Sequence, residues 1–287
     1  MFETTQAPFT LRDGLNIALF DWPLPVRQRA RGVVLIVHGL GEHAWRYDAM
    51  AQRLNEWGFH VRSYDQRGHG GSGGARGVLP SEDALLDDLL EIIEDSQMHM
   101  SEPWECPLIL LGHSMGGLIA ATLVHRGLAQ VDSLVLSSPA LDAGISGFQK
   151  KLIGLLERWA PDLTLSNGLD VQALSHDAEV VAAYQRDPMV HARISARLAG
   201  FIDRNGPLVV ASAPTWTMPT LLLYAGMDRL VRPEGSRAFA AVAPAAVVTS
   251  RCLEGQFHEI FNEADPSQAY GELRRWLEAQ APLLSSL

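Results

Sequence analysis

Two runs, GVVLIVHG (Gly32 to Gly39) and PLILLG (Pro107 to Gly112), are continuously apolar apart from His38, and each ends in glycine. Runs of this kind predict strands buried on both faces of a mostly parallel sheet. Between them, Arg46 to Trp57 places Met50, Leu54 and Trp57 at helical spacing, and FHVRSYD (Phe59 to Asp65) alternates as a strand. Ser81 to Met98 reads as a helix, with Ser81 as its N-cap and Glu82 and Asp83 in the first turn. The alternation continues through a helix at Ser114 to Arg126, the strand DSLVLSSP, the strand at Thr220 to Gly226 and a helix at Pro233 to Val242. The strand AVVTSRCL and a last helix at Pro266 to Ala279 complete it, and Phe9 to Phe20 forms a hairpin about Asp13-Gly14. Strand–helix alternation predicts an α/β fold with helices on both faces of the sheet.

The pattern breaks between Pro139 and Pro219. Helical spacing there covers Phe148 to Trp159, Glu179 to Arg186 and Val190 to Asp203, and only PLVVA around Val209 has the look of a strand. The expected organisation is a core of residues 1–140 and 213–287, with a helical cap, residues 141–212, inserted into it.

Composition changes this picture little. The 287 residues are 47% hydrophobic and 20% charged, ordinary for a soluble globular chain and long enough for a large core. A net charge of -10 and the lack of any Lys/Arg run argue against a nucleic-acid partner, which needs cationic surface to neutralise phosphates. Cys106 and Cys252 belong to no Cys-x-x-Cys or Cys/His cluster, so no metal site is expected. Met1 to Asp21 lacks the basic start and apolar run of a signal peptide. No stretch reaches the roughly 18 apolar residues of a spanning helix, and the expectation is a soluble cytoplasmic protein.

The chemistry is read from LILLGHSMGGLIAA. It holds Gly112-His113-Ser114-Met115-Gly116, a G-x-S-x-G elbow between a buried strand and a helix, where flanking glycines make room for a strained serine. A serine nucleophile needs a base, and the base needs an orienting acid. Around this elbow the partners follow in the order Ser, Asp/Glu, His. Asp228 follows the strand ending Ala225-Gly226, with Asp142 and Asp203 as weaker rivals, and His258 is the only histidine after it. Two backbone N–H donors for an oxyanion are expected at Leu40, in HGLGEH, and at Met115. His38 reads as a structural loop residue, and Glu42, His43 and Arg46 as an ion pair bracing that loop. YDQRGHGGSGG (Tyr64 to Gly74) lacks the lysine of a phosphate-binding loop, so Asp65 and Arg67 are expected to brace the neighbourhood of the elbow.

These pieces, HGLGEHAWRY, YDQRGHGGSGG, LLGHSMGG, YAGMDRLV and FHEIFNE, together resemble the monoacylglycerol lipase and lysophospholipase branch of the α/β-hydrolase family. LSHDAEVVAAYQRDPMVHARIS is similar to the helical cap of that branch, which covers an acyl tunnel. The resemblance implies a cofactor-free serine ester hydrolase with Ser114, Asp228 and His258 as triad and Leu40 and Met115 as oxyanion hole. Its substrate would be a small acyl ester. Alternatives are a carboxylesterase for small soluble esters, or a peptidase that would need an acid such as Glu157, Asp162 or Asp187 to hold an amine. In the cap, Phe148, Leu152, Leu155, Leu156 and Trp159 recur at helical spacing beside Lys150, Lys151 and Arg158. That face either packs on the core or, with Phe148, Leu152, Leu156 and Trp159 as substrate-binding residues, lines the acyl entrance and transiently touches micelles or membrane.

Overall fold

The computed structural model describes residues 4–25, 28–128 and 130–282. Its main sheet has eight strands: β1 (Thr5–Thr10), β2 (Asn16–Trp22), β3 (Gly32–Val37), β4 (Phe59–Tyr64), β5 (Leu108–His113), β6 (Ser133–Ser137), β9 (Thr220–Ala225) and β10 (Val248–Leu253). Their spatial order is β1-β2-β4-β3-β5-β6-β9-β10, antiparallel as far as β4 and parallel from there on. Every residue of β3 and of β5 is buried, as the unbroken apolar runs predict. Successive residues alternate between two cores. Val33, Leu35 and Val37 pack with α2 (Ala84–Ser96) and α3 (Met115–His125), whereas Val34 and Ile36 pack with α1 (Asp48–Glu56) and α8 (Ser267–Gln280). Each such aliphatic side chain contributes about 1.5–3 kcal/mol by leaving water.

From β3 the chain runs to β4 on one side and then to β5 on the other. A crevice therefore opens beyond the carboxyl ends of β3 and β5, where an α/β sheet binds its ligands. The residues after those two strands are Gly39-Leu40 and Ser114.

Between β6 and β9 lie α4 (Gly147–Trp159), β7 (Thr164–Ser166), α5 (Ala178–Arg186), β8 (Arg193–Ser195) and α6 (Ala196–Ser212). Two expectations fail here. PLVVA is no strand but the end of α6, since packing of Phe201, Ile202 and Val209 into the core beside α3 overrides the local β-branched signal. The helix expected from Val190 starts only at Ala196, because Arg193–Ser195 pairs with Thr164–Ser166 as a two-stranded ribbon. That ribbon is tied to the core loops: His191 N–H donates to the Gly41 carbonyl and Ser195 N–H to that of Gly77, each at 2.9 Å. Gly41 and Gly77 have φ of +80° and +68°, and a Cβ there would overlap the carbonyls of His191 and Arg193. The helix α7 (Pro233–Val242) follows β9. No helix among the described residues is long and apolar enough to cross a membrane, and both cysteines are free.

Candidate active site

Ser114 ends β5 and starts α3 with φ 54° and ψ -119°, a strained backbone for a residue with a side chain. The strain is enforced from both sides. A Cβ on Gly112 would meet the Gly116 carbonyl at 2.5 Å, and one on Gly116 would overlap the Val37 carbonyl at the end of β3. The glycines thus allow the elbow to press against β3, and the Ser114 N–H is tied to the Ser137 carbonyl at 2.9 Å.

The loops after β9 and β10 supply the acid and the base. Gly226 N–H donates to Leu253 O at 2.9 Å and Met227 N–H to Gln256 O at 3.1 Å, clipping the two loops together. Asp228 and His258 meet there, Nδ1 to Oδ2 at 2.7 Å, with both side chains nearly fully buried. The other Asp228 oxygen accepts from the N–H groups of Leu230 and Val231, each at 2.9 Å. Burial alone would raise the Asp228 carboxyl, but His258 and these two amides outweigh it and hold it below the usual carboxylate range. Burial likewise works against the His258 cation, and the Asp228 charge overcomes it, lifting the imidazole above its ordinary value. Ser114 and His258 line one pocket, and no hydrogen bond joins their side chains in this geometry.

Neither Leu40 N–H nor Met115 N–H donates a hydrogen bond within the protein among the described residues. The Leu40 amide is oriented from its far end. His38 Nδ1 donates to the Gly39 carbonyl at 2.7 Å, the opposite end of the same peptide unit, while its Nε2 accepts Gln66 N–H at 2.9 Å and so fixes the tautomer. A trans peptide points its N–H away from its C=O, so this bond aims the Leu40 N–H in the opposite direction. Burial pushes His38 down to about 3 and keeps it neutral. The expected structural role for His38 fits this geometry.

The expected ion pair at Glu42 and Arg46 forms at 2.5 Å and extends further than its sequence spacing shows. Glu42 also accepts Gly39 N–H at 2.6 Å and the Tyr47 hydroxyl at 2.7 Å. Arg46 reaches on to both oxygens of Glu259, at 2.7 and 2.8 Å, and stacks on the Tyr184 ring. Burial would raise Glu42, yet Arg46 and these donors leave it lowered. One guanidinium therefore joins the loop that carries Leu40 to the loop that carries His258. Glu259 is a partner that sequence reading missed, and so is His113, whose ring lies 4.8 Å from that of His258 and which burial lowers to about 4. His43 is not part of this pair and bonds Asp187 at 2.8 Å. Asp65 does brace the site, accepting Ala44 N–H and Gly71 N–H, whereas Arg67 points away to Asp88 and Asp13.

The pocket is lined by Glu42, Tyr184 and Glu259, which Arg46 gathers together, and by apolar residues among which are Ala143, Ile145, Ile202, Leu230 and Val231. None of Phe148, Leu152, Leu156 and Trp159 lines it, which corrects their expected place at the substrate. The other expectation for that face, packing on the core, holds only in part, since α4 has no fully buried residue. It lies against α6 through the half-buried Ile153, Leu156 and Glu157 and the pairs Lys150–Asp203 and Glu157–Arg204, and leaves Phe148, Leu155 and Trp159 at 78%, 57% and 73% exposure. The acids considered for amine binding are already engaged: Glu157 by Arg204, Asp162 by Arg197 and Asp187 by His43.

Known proteins bear on this geometry. A family model described as serine aminopeptidase, S33, matches residues 28–265. A monoacylglycerol lipase from Mycolicibacterium smegmatis is 36% identical over 254 residues, 86% of this chain and 88% of that protein. The phospholipase YtpA of Bacillus subtilis is 29% identical over 259 residues, 87% of this chain and 96% of its own. The crystal structure of a monoacylglycerol lipase from Paleococcus ferrophilus superposes with a TM-score of 0.79 at 31% identity, covering 97% of this chain and 99% of that one. The matched residues extend from before β3 to beyond His258, and the chain belongs to the serine aminopeptidase S33 family of α/β-hydrolases.

Proposed function

We propose that this protein is a serine carboxylic-ester hydrolase that cleaves monoacylglycerols or lysophospholipids to a free fatty acid and an alcohol. The observation that carries the reading is the 2.7 Å bond from His258 Nδ1 to Asp228 Oδ2, with His258 and Ser114 lining one pocket of mixed polar and apolar residues. The named relatives, a monoacylglycerol lipase and a phospholipase, support the substrate class. Residues 1–140 and 213–287 act as the core that performs the reaction, and residues 141–212 as the cap that selects the substrate.

In this reading a rotation about Ser114 χ1 brings Oγ to His258 Nε2. That nitrogen takes the hydroxyl proton as Oγ bonds to the ester carbonyl carbon. The oxyanion is held by the amides of Leu40 and Met115, where two preorganised donors are worth on the order of 100- to 1000-fold in rate each. The intermediate expels the alcohol, which leaves with the proton from His258. Water then gives a proton to His258 and attacks the acyl carbon, releasing the fatty acid and restoring Ser114. In this reading the alcohol lies near Glu42, Glu259 and Tyr184, and the acyl chain lies against the apolar lining residues, where an unpaired polar group would be costly.

A second reading, hydrolysis of short soluble esters, is favoured by the small cavity around Ser114, 150 Å³. Peptidase action has less support, because the acids able to hold an amine are paired. Ser114→Ala should lower turnover of both 1-oleoylglycerol and a nitrophenyl butyrate on the order of 10⁶-fold. Activity near wild type would remove Ser114 from the mechanism.

A further inference from the structure

His258 stands in a stretch without regular structure, Glu254 to Pro266, between β10 and α8. A base on such a stretch is only as well placed as the contacts that hold it, and a shift of about 1 Å costs on the order of 100-fold in rate. The core holds it through Asp228, the Met227–Gln256 clip and Arg46. Further ties come from the segment between β6 and β9, just before α5. The Glu259 N–H donates to the Leu174 carbonyl at 2.8 Å, and Ser175 Oγ donates to the Asn262 carbonyl at 2.8 Å. His176 donates its N–H and its Nδ1–H to the Glu263 carboxylate, at 3.1 and 3.0 Å. A carboxylate only accepts, so Nδ1 carries the proton. The same carboxylate accepts the Phe257 N–H at 2.5 Å, and the Phe257 ring lies 3.7 Å from that of His176, nearly parallel at 21°.

We infer that Leu174 to His176 clamps the catalytic base, with His176 and Glu263 as positioning residues that hold the chain on both sides of His258. The inference rests on the ester-hydrolase reading above, in which His258 is the base. Phe257 and Glu259 flank His258 in the chain, and each has its N–H fixed by this clamp: Glu259 by the Leu174 carbonyl, Phe257 through the carboxylate that His176 grips. Leu174 also lines the pocket that holds Ser114, so the clamp joins the surroundings of the substrate to the base. If residues 174–176 moved away from the pocket, Phe257 and Glu259 would be released with them. A displaced cap and a well-placed base therefore exclude one another, and the cap takes part in bond cleavage as well as in substrate choice.

The test is made at His176, whose side chain is 42% exposed and does not line the pocket. His176→Ala removes both ring and donor, and His176→Asn returns an N–H near the place of Nδ1. Both are assayed on nitrophenyl butyrate across pH. His176→Ala should lower kcat about 100-fold with little change in KM, because the clamp acts on proton transfer and not on binding, and His176→Asn should recover about tenfold of that loss. The acid limb of the profile reports His258, which Asp228 holds above its ordinary value with help from Glu259 and Glu42, the other titratable neighbour being His113. A ring that drifts from Asp228 loses this support, so the limb should move to lower pH in His176→Ala and return in His176→Asn. Partial unfolding would lower kcat at every pH and leave the limb in place. A limb that does not move in His176→Ala, or a kcat within about threefold of wild type, overturns the inference. Should His176→Ala fail to fold, His176→Phe keeps the ring on Phe257 without the donor and is read in the same way. Wild type that turns over no ester overturns the ester-hydrolase reading instead. ¹⁵N titration of the His258 imidazole then decides the clamp, upheld if the ring titrates lower in His176→Ala than in wild type and overturned if the two curves coincide.

Discussion

Asp228→Asn interrogates the proposed mechanism at a single proton. The side chain offers two different oxygens to its surroundings. Oδ1 accepts two backbone N–H groups, from Leu230 and Val231, and Oδ2 accepts from His258 Nδ1. An asparagine must choose which atom goes where. Its NH₂ at the Oδ1 position would face two buried donors, leaving them unpaired at about 1–3 kcal/mol each. The amide oxygen therefore takes that place, and the NH₂ sits where Oδ2 was, 2.7 Å from His258 Nδ1. An NH₂ can only donate there, so Nδ1 becomes the bare acceptor and the ring proton moves to Nε2. A base whose Nε2 already carries a proton cannot take one from Ser114. The expected loss is about 10⁴-fold in kcat, the size seen when the same tautomer error is introduced in a serine protease, or about 5 kcal/mol at 1.36 kcal/mol per decade. KM for nitrophenyl butyrate should change little, because the substitution is nearly isosteric and Asp228 does not line the pocket. Removing the carboxylate also removes the main influence that raises His258, so the acid limb of the remaining pH–rate profile should move to lower pH. The tautomer itself is visible in ¹⁵N NMR of the imidazole. A kcat within tenfold of wild type, or a ring still protonated on Nδ1, would refute the reasoning.

Other perturbations separate positioning, stability and surface roles. Arg46→Met leaves Glu42 and Glu259 buried side by side without their shared cation, each only 5% exposed, and should cost about 3–5 kcal/mol in a urea melt; less than 1 kcal/mol would contradict the bridge. Arg46→Lys should recover part of this but not the paired contact to Glu259. Stability should fall between pH 7 and pH 5. His38 and His113 are held neutral, lowered to about 3 and about 4, whereas the unfolded chain gains protons below about 6.5. A depressed histidine contributes fully above the unfolded value and loses that contribution as pH falls, about 2 kcal/mol each by pH 5. Asp88, raised to about 6 by burial, works in the opposite sense and returns about 1 kcal/mol. His113→Asn should therefore shrink the pH 7 to pH 5 difference by about 2 kcal/mol in paired urea melts, and an unchanged difference would show that His113 titrates normally. For α4, Leu155→Asp with Trp159→Ala should abolish cosedimentation with lipid vesicles, since it removes exposed apolar surface on a helix that also carries Lys150, Lys151 and Arg158. Retained cosedimentation would place any membrane contact elsewhere.

The parts of this protein that sequence exposes are those whose physics is local. Val33 to Val37 and Leu108 to Leu111 had to be buried strands because no polar face interrupts them, and both strands are. Gly112 and Gly116 signal an elbow because their lack of a Cβ is needed within a few residues of Ser114. His258 could be picked by chain order alone and Asp228 by its place in the turn after a sheet strand, and they meet at 2.7 Å. Where the governing contact is distant, the same reading loses its grip. Glu42 and Arg46 are four apart and announce themselves, but Glu259, Arg46's other partner, is 213 residues away and carries no local mark. Periodicity in α4 reveals an apolar face without revealing what covers it, and among the described residues Phe148, Leu155 and Trp159 remain largely exposed. PLVVA failed for the same reason: Val209 is β-branched, yet its burial beside α3 decides in favour of helix.

The pocket wall is the extreme case. Ala143 and Ile145 come from an irregular connector, Ile194 from a three-residue strand, Ile202 from a helix and Leu230 and Val231 from the loop beside the acid. No two of these elements share a period, and none is adjacent to the elbow in the chain. A family match that spans the elbow, acid and base therefore says little about how this lining is assembled. The pocket lining is set by how Ile202, the connector around Gly144 and the loop beside the acid pack against one another, and no local pattern in the chain records that packing.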